Sequence, residues 1–451
     1  MSLSRTSSRT AAPPTLEPGV KRTLGFSVLE GAFTQVFINW TSGSVLIGYM
    51  LYLGASPTQL GLVASMPLLA QVVSPFAAYV AGLAGRRKLL TMLGAFLGRG
   101  LWLLAAALPQ FGLPPALDTS LIVLLVLVSS VFQAGAGTLW TAWMGDVVPG
   151  ALRGRYFGAR AGIVGVVGML ANLGVGWFLD RVASPVDFQA ALVVSVLAAT
   201  IGTAFLAFHH EPPVPKAALG FRATLGAPLR DANFRNFLVF ALYWQFAVLL
   251  SAPFVFPYFI DSLRLSFTQI AVWSVIASSS ALLTTTLWGR VADRVGNKAV
   301  LAVGTFTAGL ALPSTWILAG LTGDVRFIWA SAVFDAVAWG AIGPAIFNLA
   351  LVSAPQQDRV AFIAMYSLAT GLSGFVGGVL SGPLLSAFRL LEFQLWGVHW
   401  NAYHWLFLLS GVARANAWRL LRPVQETNAW KTRELLRSIR IGWRAMGFPW
   451  R

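Results

Sequence analysis

The chain has no cysteine among its 451 residues and only four histidines, and charged residues make up just 11% of it. Without cysteine, disulfide bonds and thiolate metal sites are excluded. The histidines have no zinc-like spacing to acidic residues, so we predict no metal site and no cofactor. A globular surface needs more charge than this to stay hydrated, which excludes a soluble protein.

Long apolar runs take the place of the missing charge, since 57% of the residues are hydrophobic and 13% are aromatic. Crossing about 30 Å of hydrocarbon as a helix takes roughly 20 apolar residues. Only helices or closed barrels satisfy every backbone polar group inside a bilayer, and runs this long favour helices. We therefore predict an all-α, multi-pass membrane protein with twelve transmembrane helices.

Basic residues outnumber acidic ones by 32 to 16, giving a net charge of +16. Such an excess could indicate a nucleic-acid partner, but most of the basic residues fall in alternate loops and in the two tails. This asymmetry is the positive-inside pattern. We therefore expect both termini in the cytoplasm and no nucleic-acid partner. The preference for Arg over Lys favours a bacterial source, and hence the inner (plasma) membrane.

The two halves of the chain repeat each other. Four sets of matching residues recur in the same order at nearly constant spacing: Ser56, Thr58 and Gln59 with Ser266, Thr268 and Gln269; Gly94 and Phe96 with Gly304 and Phe306; Ser129 and Phe132 with Ser331 and Phe334; Pro149 and Arg153 with Pro355 and Arg359. An even number of spans in each copy makes the copies parallel repeats.

The repeat divides the chain into five segments. The expected boundaries are a disordered cytoplasmic tail at 1–22, a six-helix bundle at 23–210, a cytoplasmic linker at 211–233, a second six-helix bundle at 234–420, and a basic tail at 421–451. The last tail spaces apolar and basic residues helically, so we expect it to lie on anionic membrane lipids.

A charged stretch, GRVADRVGNKAVL, lies between the eighth and ninth predicted spans. Its residues Gly289, Asp293, Arg294, Gly296 and Lys298 resemble the loop signature of the major facilitator superfamily. Twelve spans in two halves match that family over nearly the whole chain. The resemblance implies a secondary active transporter whose two bundles rock about a midplane site, with Asp293 holding the cytoplasmic side shut.

The first-half copy of this loop is degraded, because Gly82 stands where the acid would be. It keeps the basic residues Arg86 and Arg87, and Arg153 and Arg359 match each other in the loops after the fourth and tenth spans. We therefore expect these residues to belong to the same cytoplasmic gate, with the acidic contact in one half only.

Three ionisable residues fall inside predicted spans, where they are costly and therefore candidates for function: Glu30, Arg99 and Asp335. Glu30 and Arg99 lie at similar depths, about 12 Å and about 16 Å from the cytoplasmic ends of their helices. We hypothesise that they pair; the alternative is that Arg99 bonds to carbonyl groups. Asp335 has Gln133 as its repeat-mate, so we predict proton coupling or substrate binding there, with a structural hydrogen bond as the alternative.

By the resemblance, the first, fourth, seventh and tenth helices line the cavity. They carry amides and aromatic residues: Gln35, Asn39, Gln133, Gln245, Asn348, Trp143, Tyr243 and Trp339. Such a lining suits an amphipathic or aromatic organic solute. The alternative for the aromatic residues is an interfacial belt or helix packing.

Our prediction is a monomeric, proton-coupled exporter of a small organic solute, with protons as the coupling ion. Uptake by symport is the alternative within the same class. A membrane enzyme or scaffold is the rival class, but the spans lack paired catalytic carboxylates or a Ser/His dyad, so we expect no enzyme. The glycine-rich spans lack the Lys and Ser/Thr of a nucleotide loop and suit close helix packing.

Overall fold

A computed structural model describes residues 17–181, 184–212, 228–353, 359–395 and 398–426. Most of the two predicted tails, most of the linker and the side chain of Arg359 lie outside these residues. The first helix begins at Pro18, within the segment predicted as a disordered tail.

The described chain is almost wholly helical. Its helices are Pro18–Trp40 (α1), Gly43–Tyr52 (α2), Pro57–Ala70 (α3), Ser74–Ala84 (α4), Arg87–Ala107 (α5), Pro115–Val147 (α6), Arg153–Arg181 (α7), Pro185–Leu206 (α8), Ala232–Leu249 (α9), Phe267–Val295 (α10), Asn297–Thr322 (α11), Arg326–Val352 (α12), Arg359–Phe388 (α13) and Ala402–Asn416 (α14). A short helical stretch, Val255–Pro257 and Tyr258–Ser262, follows α9. One feature was not predicted, an antiparallel hairpin of Phe393–Leu395 (β1) and Val398–Trp400 (β2).

Ten helical stretches of the described chain are long and apolar enough to cross a membrane. They correspond to the second to eleventh predicted spans, so ten of the twelve spans are confirmed. The predicted first span is helical but breaks at Thr41 and Ser42, between α1 and α2. The predicted last span contains α14, which at 15 residues is shorter than the roughly 20 that a bilayer requires.

The apolar side chains form two large buried clusters. One is built chiefly from α1 to α8, around Phe37, Trp102 and Ile122. The other is built chiefly from α9 to α14, around Phe237 and Trp316. We call these groups of helices the first half and the second half.

Repeated sequences form the same local structure in the two halves. Ser56 and Ser266 each begin a helix with a capping box, in which the serine and the glutamine three residues later satisfy each other's backbone N–H groups. In both halves a tryptophan donates to the serine of the repeated motif: Trp102 to Ser129 at 3.0 Å and Trp273 to Ser331 at 2.9 Å.

The halves meet along two seams. In the α7–α10 seam, Asp180 at the end of α7 accepts hydrogen bonds from the backbone N–H groups of Phe267 at 2.7 Å and Thr268 at 2.8 Å. The ring of Phe267 also lies edge-on to that of Phe188, with centroids 5.6 Å apart. A carboxylate is favoured at a helix N-terminus because the first N–H groups have no partner within the helix.

The α3–α13 seam is made by small residues. A Cβ atom on Gly382 would lie 2.5 Å from the carbonyl oxygen of Pro57, and one on Gly61 would lie 2.5 Å from the carbonyl oxygen of Gly378. Only glycine allows backbones to approach this closely. Both seams join the same end of the two halves, which we call the Asp180 end.

Candidate functional site

A cavity of about 350 Å³ lies between the halves. Its walls come from α1, the start of α2 and α7 in the first half, and from α10 and Phe256 in the second half. In the described chain it is lined by Gln35, Asn39, Ser42, Gly43, Ser44, Ala161, Gly165, Gly168, Met169, Asn172, Phe256, Ser274, Val275 and Ser278. These residues supply amides, hydroxyls and apolar groups, and none of them carries a charge.

The first-half wall contains two of the predicted site residues, Gln35 and Asn39. Gln35 Nε2 donates to Asn39 Oδ1 at 3.1 Å, and Asn39 Nδ2 donates to the carbonyl oxygen of Gly168. A Cβ atom on Gly168 would lie 2.9 Å from Gln35 Cγ, so glycine leaves the space that these side chains fill. The amides are therefore held in a fixed arrangement.

The second-half wall consists of α10 and Phe256. Ser274 Oγ donates to the carbonyl oxygen of Ile270 at 3.0 Å, whereas Ser278 is exposed in the cavity. The helices α7 and α10, which are the fifth and eighth predicted spans, were not predicted to line the cavity. The family resemblance implied the first, fourth, seventh and tenth spans instead. Of the lining residues, none comes from α6 or α12, the predicted fourth and tenth spans.

Three other predicted residues lie outside the cavity. Gln133 Nε2 donates to Ser129 Oγ at 2.8 Å. Gln245 packs on α13, where a Cβ atom on Gly374 would lie 3.0 Å from its Cγ. Trp143 is fully buried and donates to the carbonyl oxygen of His210 at 2.8 Å. Their positions are those of packing residues.

The remaining predicted aromatic and amide residues are also outside the cavity. Trp339 lies edge-on to Trp244 with centroids 6.0 Å apart, and Tyr243 packs against the core of the second half. Asn348 Nδ2 donates to Asn297 Oδ1 at 3.3 Å, in the loop region between α10 and α11.

Glu30 is the centre of a buried cluster of charges in the first half. Its carboxylate lies 3.7 Å from Arg99 Nη2 and 3.1 Å from Arg160 Nη2. Thr34 Oγ1 donates to the carboxylate at 2.9 Å and accepts from Arg99 Nη2 at 2.9 Å. The structure therefore brings the predicted partners Glu30 and Arg99 together and adds a second arginine.

Both arginines have further partners. Arg99 Nη1 donates to Thr203 Oγ1 at 2.6 Å and to the carbonyl oxygen of Ala199 at 3.2 Å, so the alternative of carbonyl bonding also holds. Arg160 lies 4.4 Å above the ring centroid of Trp140, a cation–π contact. Arg160 was not predicted as a site residue; it lies about 10 Å along α7 from Arg153.

A second buried arginine that sequence analysis missed is Arg414 in α14. It is 2% exposed, and its Nη2 donates to the carbonyl oxygen of Val248 at 3.0 Å and to Ser251 Oγ at 2.8 Å. Asp335 is half-buried, and Arg414 and Trp339 are its polar neighbours.

The predicted gating loop lies at the opposite end from Asp180. Gly296 separates α10 from α11 with a φ of 91°, which favours glycine. Asp293 is exposed near the end of α10. The carboxylate that caps α11 is Glu426, which accepts from the backbone N–H groups of Asn297 at 2.9 Å and Lys298 at 2.8 Å.

The first half has a matching contact, although its loop lacks the acid. Glu211 accepts from the backbone N–H of Lys88 at 2.8 Å. Each lysine then donates Nζ to carbonyl groups at the end of its own half: Lys88 to those of Ala207 and His209, and Lys298 to those of Arg422 and Val424. We call these two contacts the lysine–glutamate clips.

The other predicted gate residues bond locally. Arg87 forms an ion pair of 2.6 Å with Asp146, and Arg153 donates to the carbonyl groups of Val148 and Gly145. Arg86 is exposed at the start of α5. Gly289 has open space around the position of a Cβ atom.

A family model described as Major Facilitator Superfamily matches residues 29–378 and 237–450 of the chain. No curated protein sequence matches it. Three solved structures are similar in fold, each covering most of both chains. A point mutant of the nucleoside transporter NupG is 14% identical with a TM-score of 0.70, covering 90% of this chain and 100% of its own.

A bacterial homologue of the human lysosomal transporter Spinster, in an inward-facing conformation, is 15% identical with a TM-score of 0.69. It covers 92% of this chain and 100% of its own. A D-xylose–proton symporter is 15% identical with a TM-score of 0.67, covering 92% of this chain and 99% of its own. At these identities the similarity concerns the fold alone.

Proposed function

Because the chain belongs to the major facilitator superfamily, we propose that it is a secondary active transporter that carries a small organic solute through the cavity between its halves. The observation that carries the proposal is a cavity of about 350 Å³ whose walls come from both halves. A site shared in this way changes its exposure when the halves rock against each other.

The Asp180 end is the outer end of the transporter in this proposal, and the loop with Gly296 is at the cytoplasm. Two observations support this orientation. The basic residues concentrate in the loops at the Gly296 end, as the positive-inside rule requires. Both seams close the Asp180 end, so the cavity would open toward the cytoplasm of a bacterial plasma membrane.

Asp335 is the proposed site of proton coupling. Glu30 is already engaged by two arginines and Thr34, so both of its carboxylate oxygens have partners. Asp335 is half-buried, none of the ion pairs of 4.0 Å or less in the described chain includes it, and Trp339 is its hydrogen-bonding neighbour. A carboxyl that is less tightly held can take up and release a proton as the access of water alternates.

Export in exchange for protons is the direction we propose. Uptake by symport is the second candidate, since one protein of similar fold is described as a D-xylose–proton symporter. The two candidates can be distinguished in vesicles in which the orientation of the protein is controlled. An inward proton gradient should drive the solute out of the vesicle for export and into the vesicle for uptake.

The test of coupling compares two kinds of solute movement in proteoliposomes. In Asp335→Asn, we expect solute exchange without a pH gradient to continue and net flux driven by a pH gradient to be lost. The matched control is Asp324→Asn, on the loop after α11. Arg326 donates to this partly exposed carboxylate at 2.8 Å and so lowers its pKa, which keeps it ionised at neutral pH.

Full pH-driven flux in Asp335→Asn would contradict the coupling role. The same loss in Asp324→Asn would show that the effect is a general one of removing an acid from the second half.

A further inference from the structure

We infer that the cavity binds an uncharged solute with hydroxyl or amide groups along one edge and a flat apolar face, the chemistry shared by sugars and nucleosides. This inference rests on the proposed transport function, because it names the class of solute for the same cavity. It replaces the broader expectation of an amphipathic or aromatic solute.

The cavity lining offers no counter-charge to a charged solute. No residue lining the cavity in the described chain is ionisable. Glu30 lies about 7.5 Å from Gln35 along α1, and its two carboxylate oxygens are already engaged by Arg99, Thr34 and Arg160. A charged solute would lose its hydration without gaining a counter-charge, which is unfavourable.

The two amides in the first-half wall have hydrogen-bonding groups that their own contacts do not use. The chain from Gln35 through Asn39 to Gly168 uses one N–H of each amide and the oxygen of Asn39. Each amide has two N–H donors and an oxygen that accepts. Gln35 Oε1 and the second N–H of each side chain are therefore left for a solute that presents a donor beside an acceptor, as a diol or a ring amide does.

An aromatic ring, that of Phe256, forms part of the second-half wall of the cavity. Phe256 is held by edge-on contacts with Phe259 and Trp273, with centroids 6.4 Å and 6.5 Å apart. These contacts fix the plane of a ring in the cavity wall, and Met169 adds an apolar side chain to the same lining. A cavity of about 350 Å³ falls within the ordinary range for small-molecule sites.

The natural absence of cysteine allows a direct binding test. Ser278→Cys places a single thiol in the cavity, and its rate of modification by a neutral thiol reagent is measured with each solute in turn. The solutes are matched pairs that differ in charge: uridine with uridine 5′-monophosphate, and xylose with xylonate, with choline as a cation.

We expect uridine or xylose to slow the modification of Ser278→Cys and the three charged solutes to leave it unchanged. Thr322→Cys, exposed at the end of α11, is the control for reagent reactivity and should not respond. Adding Gln35→Leu to Ser278→Cys should raise about tenfold the solute concentration that halves the rate of modification, because paired hydrogen bonds to the solute are lost. Gln133→Leu, an amide outside the cavity, should leave it unchanged.

Equal or better protection by the charged member of a pair would overturn the inference, and so would the absence of protection by both uncharged solutes. Flux measured with the same panel separates the two proposals. Protection without flux would support the solute class and reject transport. Flux of a charged solute, without protection by uncharged ones, would support transport and reject the solute class.

Discussion

The two seams between the halves begin from the same sequence motif and end as different contacts. In each, a helix starts with a capping box, at Ser56 for α3 and at Ser266 for α10. The α7–α10 seam adds a carboxylate from the other half, Asp180, to the N-terminus of α10. The α3–α13 seam instead presses backbone against backbone at Gly382.

Two substitutions between the repeats account for the difference. The first helical residue is Phe267 in α10 and Pro57 in α3, and proline has no N–H to donate. The repeat-mate of Asp180 is Ser386, whose hydroxyl donates to the carbonyl oxygen of Gly382 in its own helix at 3.2 Å. The α7–α10 seam thus adds hydrogen bonds, which water can replace, to its packing at Gly176, whereas the α3–α13 seam depends on packing, which water cannot replace.

The opening of the two seams can be compared by introducing one buried cysteine at a time into the cysteine-free chain as a reporter. Ala271→Cys lies in the α7–α10 seam, beside Gly176, and Ser65→Cys lies in the α3–α13 seam, beside Gly378. Both native residues are at most 1% exposed. The rate at which each thiol is modified then reports how often its own seam opens.

The largest effect is expected for Gly382→Ala. The added Cβ would meet backbone atoms of Pro57 and Thr58 at 2.5 Å and 2.6 Å, so the helices must separate. Overpacking of this kind costs about 1–3 kcal/mol, and we expect a lower midpoint of thermal unfolding with faster modification of Ser65→Cys. Gly174→Ala is the control, since nothing lies within 4 Å of its Cβ position. An unchanged midpoint in Gly382→Ala would show that the seam is loosely packed.

An intermediate effect is expected for Asp180→Asn. The amide keeps the shape but has a single accepting oxygen, so one of the bonds from Phe267 and Thr268 is lost together with the charge, at a cost of about 1 kcal/mol. Modification of Ala271→Cys should rise about fivefold, with Ser65→Cys unchanged. The control is Asp187→Asn, whose carboxylate bonds to Ser184 within the first half. If the modification rates of both reporters rise together, the two seams open together, and their different chemistry does not affect how often each one opens.

The smallest effect is expected for Ser386→Ala, the repeat-mate of Asp180. Ser386 is exposed and bonds within its own helix, so removing its hydroxyl should change the free energy of unfolding by less than about 0.5 kcal/mol. Both reporters should keep their rates. A response as large as that of Asp180→Asn would mean that Ser386 also joins the halves.

Much of the fold follows from local sequence. Apolar runs predict ten of the spans, and the repeated serine motifs predict the matching helix starts at Ser56 and Ser266. The break at Thr41 and Ser42 and the hairpin at Phe393–Leu395 were missed, since both occur within or beside apolar segments where hydropathy gives no signal. Burial of an apolar stretch does not specify its backbone conformation.

The candidate site was predicted less completely. Glu30 and Arg99 could be found because charge inside an apolar run is rare, and Gln35 and Asn39 because they are amides on the first span. Arg160 and Arg414 were missed because each lies within two or three helical turns of a charged segment. At such positions the sequence alone does not distinguish a loop residue from a buried one. Which helices face a cavity depends on their rotation and tilt, which a single helix sequence does not determine.

The lysine–glutamate clips determine where the chain leaves each half. Glu211 and Glu426 lie near the end of the first half and of the second half, and each is bonded to the start of α5 or α11. The two exit points therefore move with their own halves. A pair of spin labels placed beside these glutamates would report, as a change in distance, how far the two halves move relative to each other.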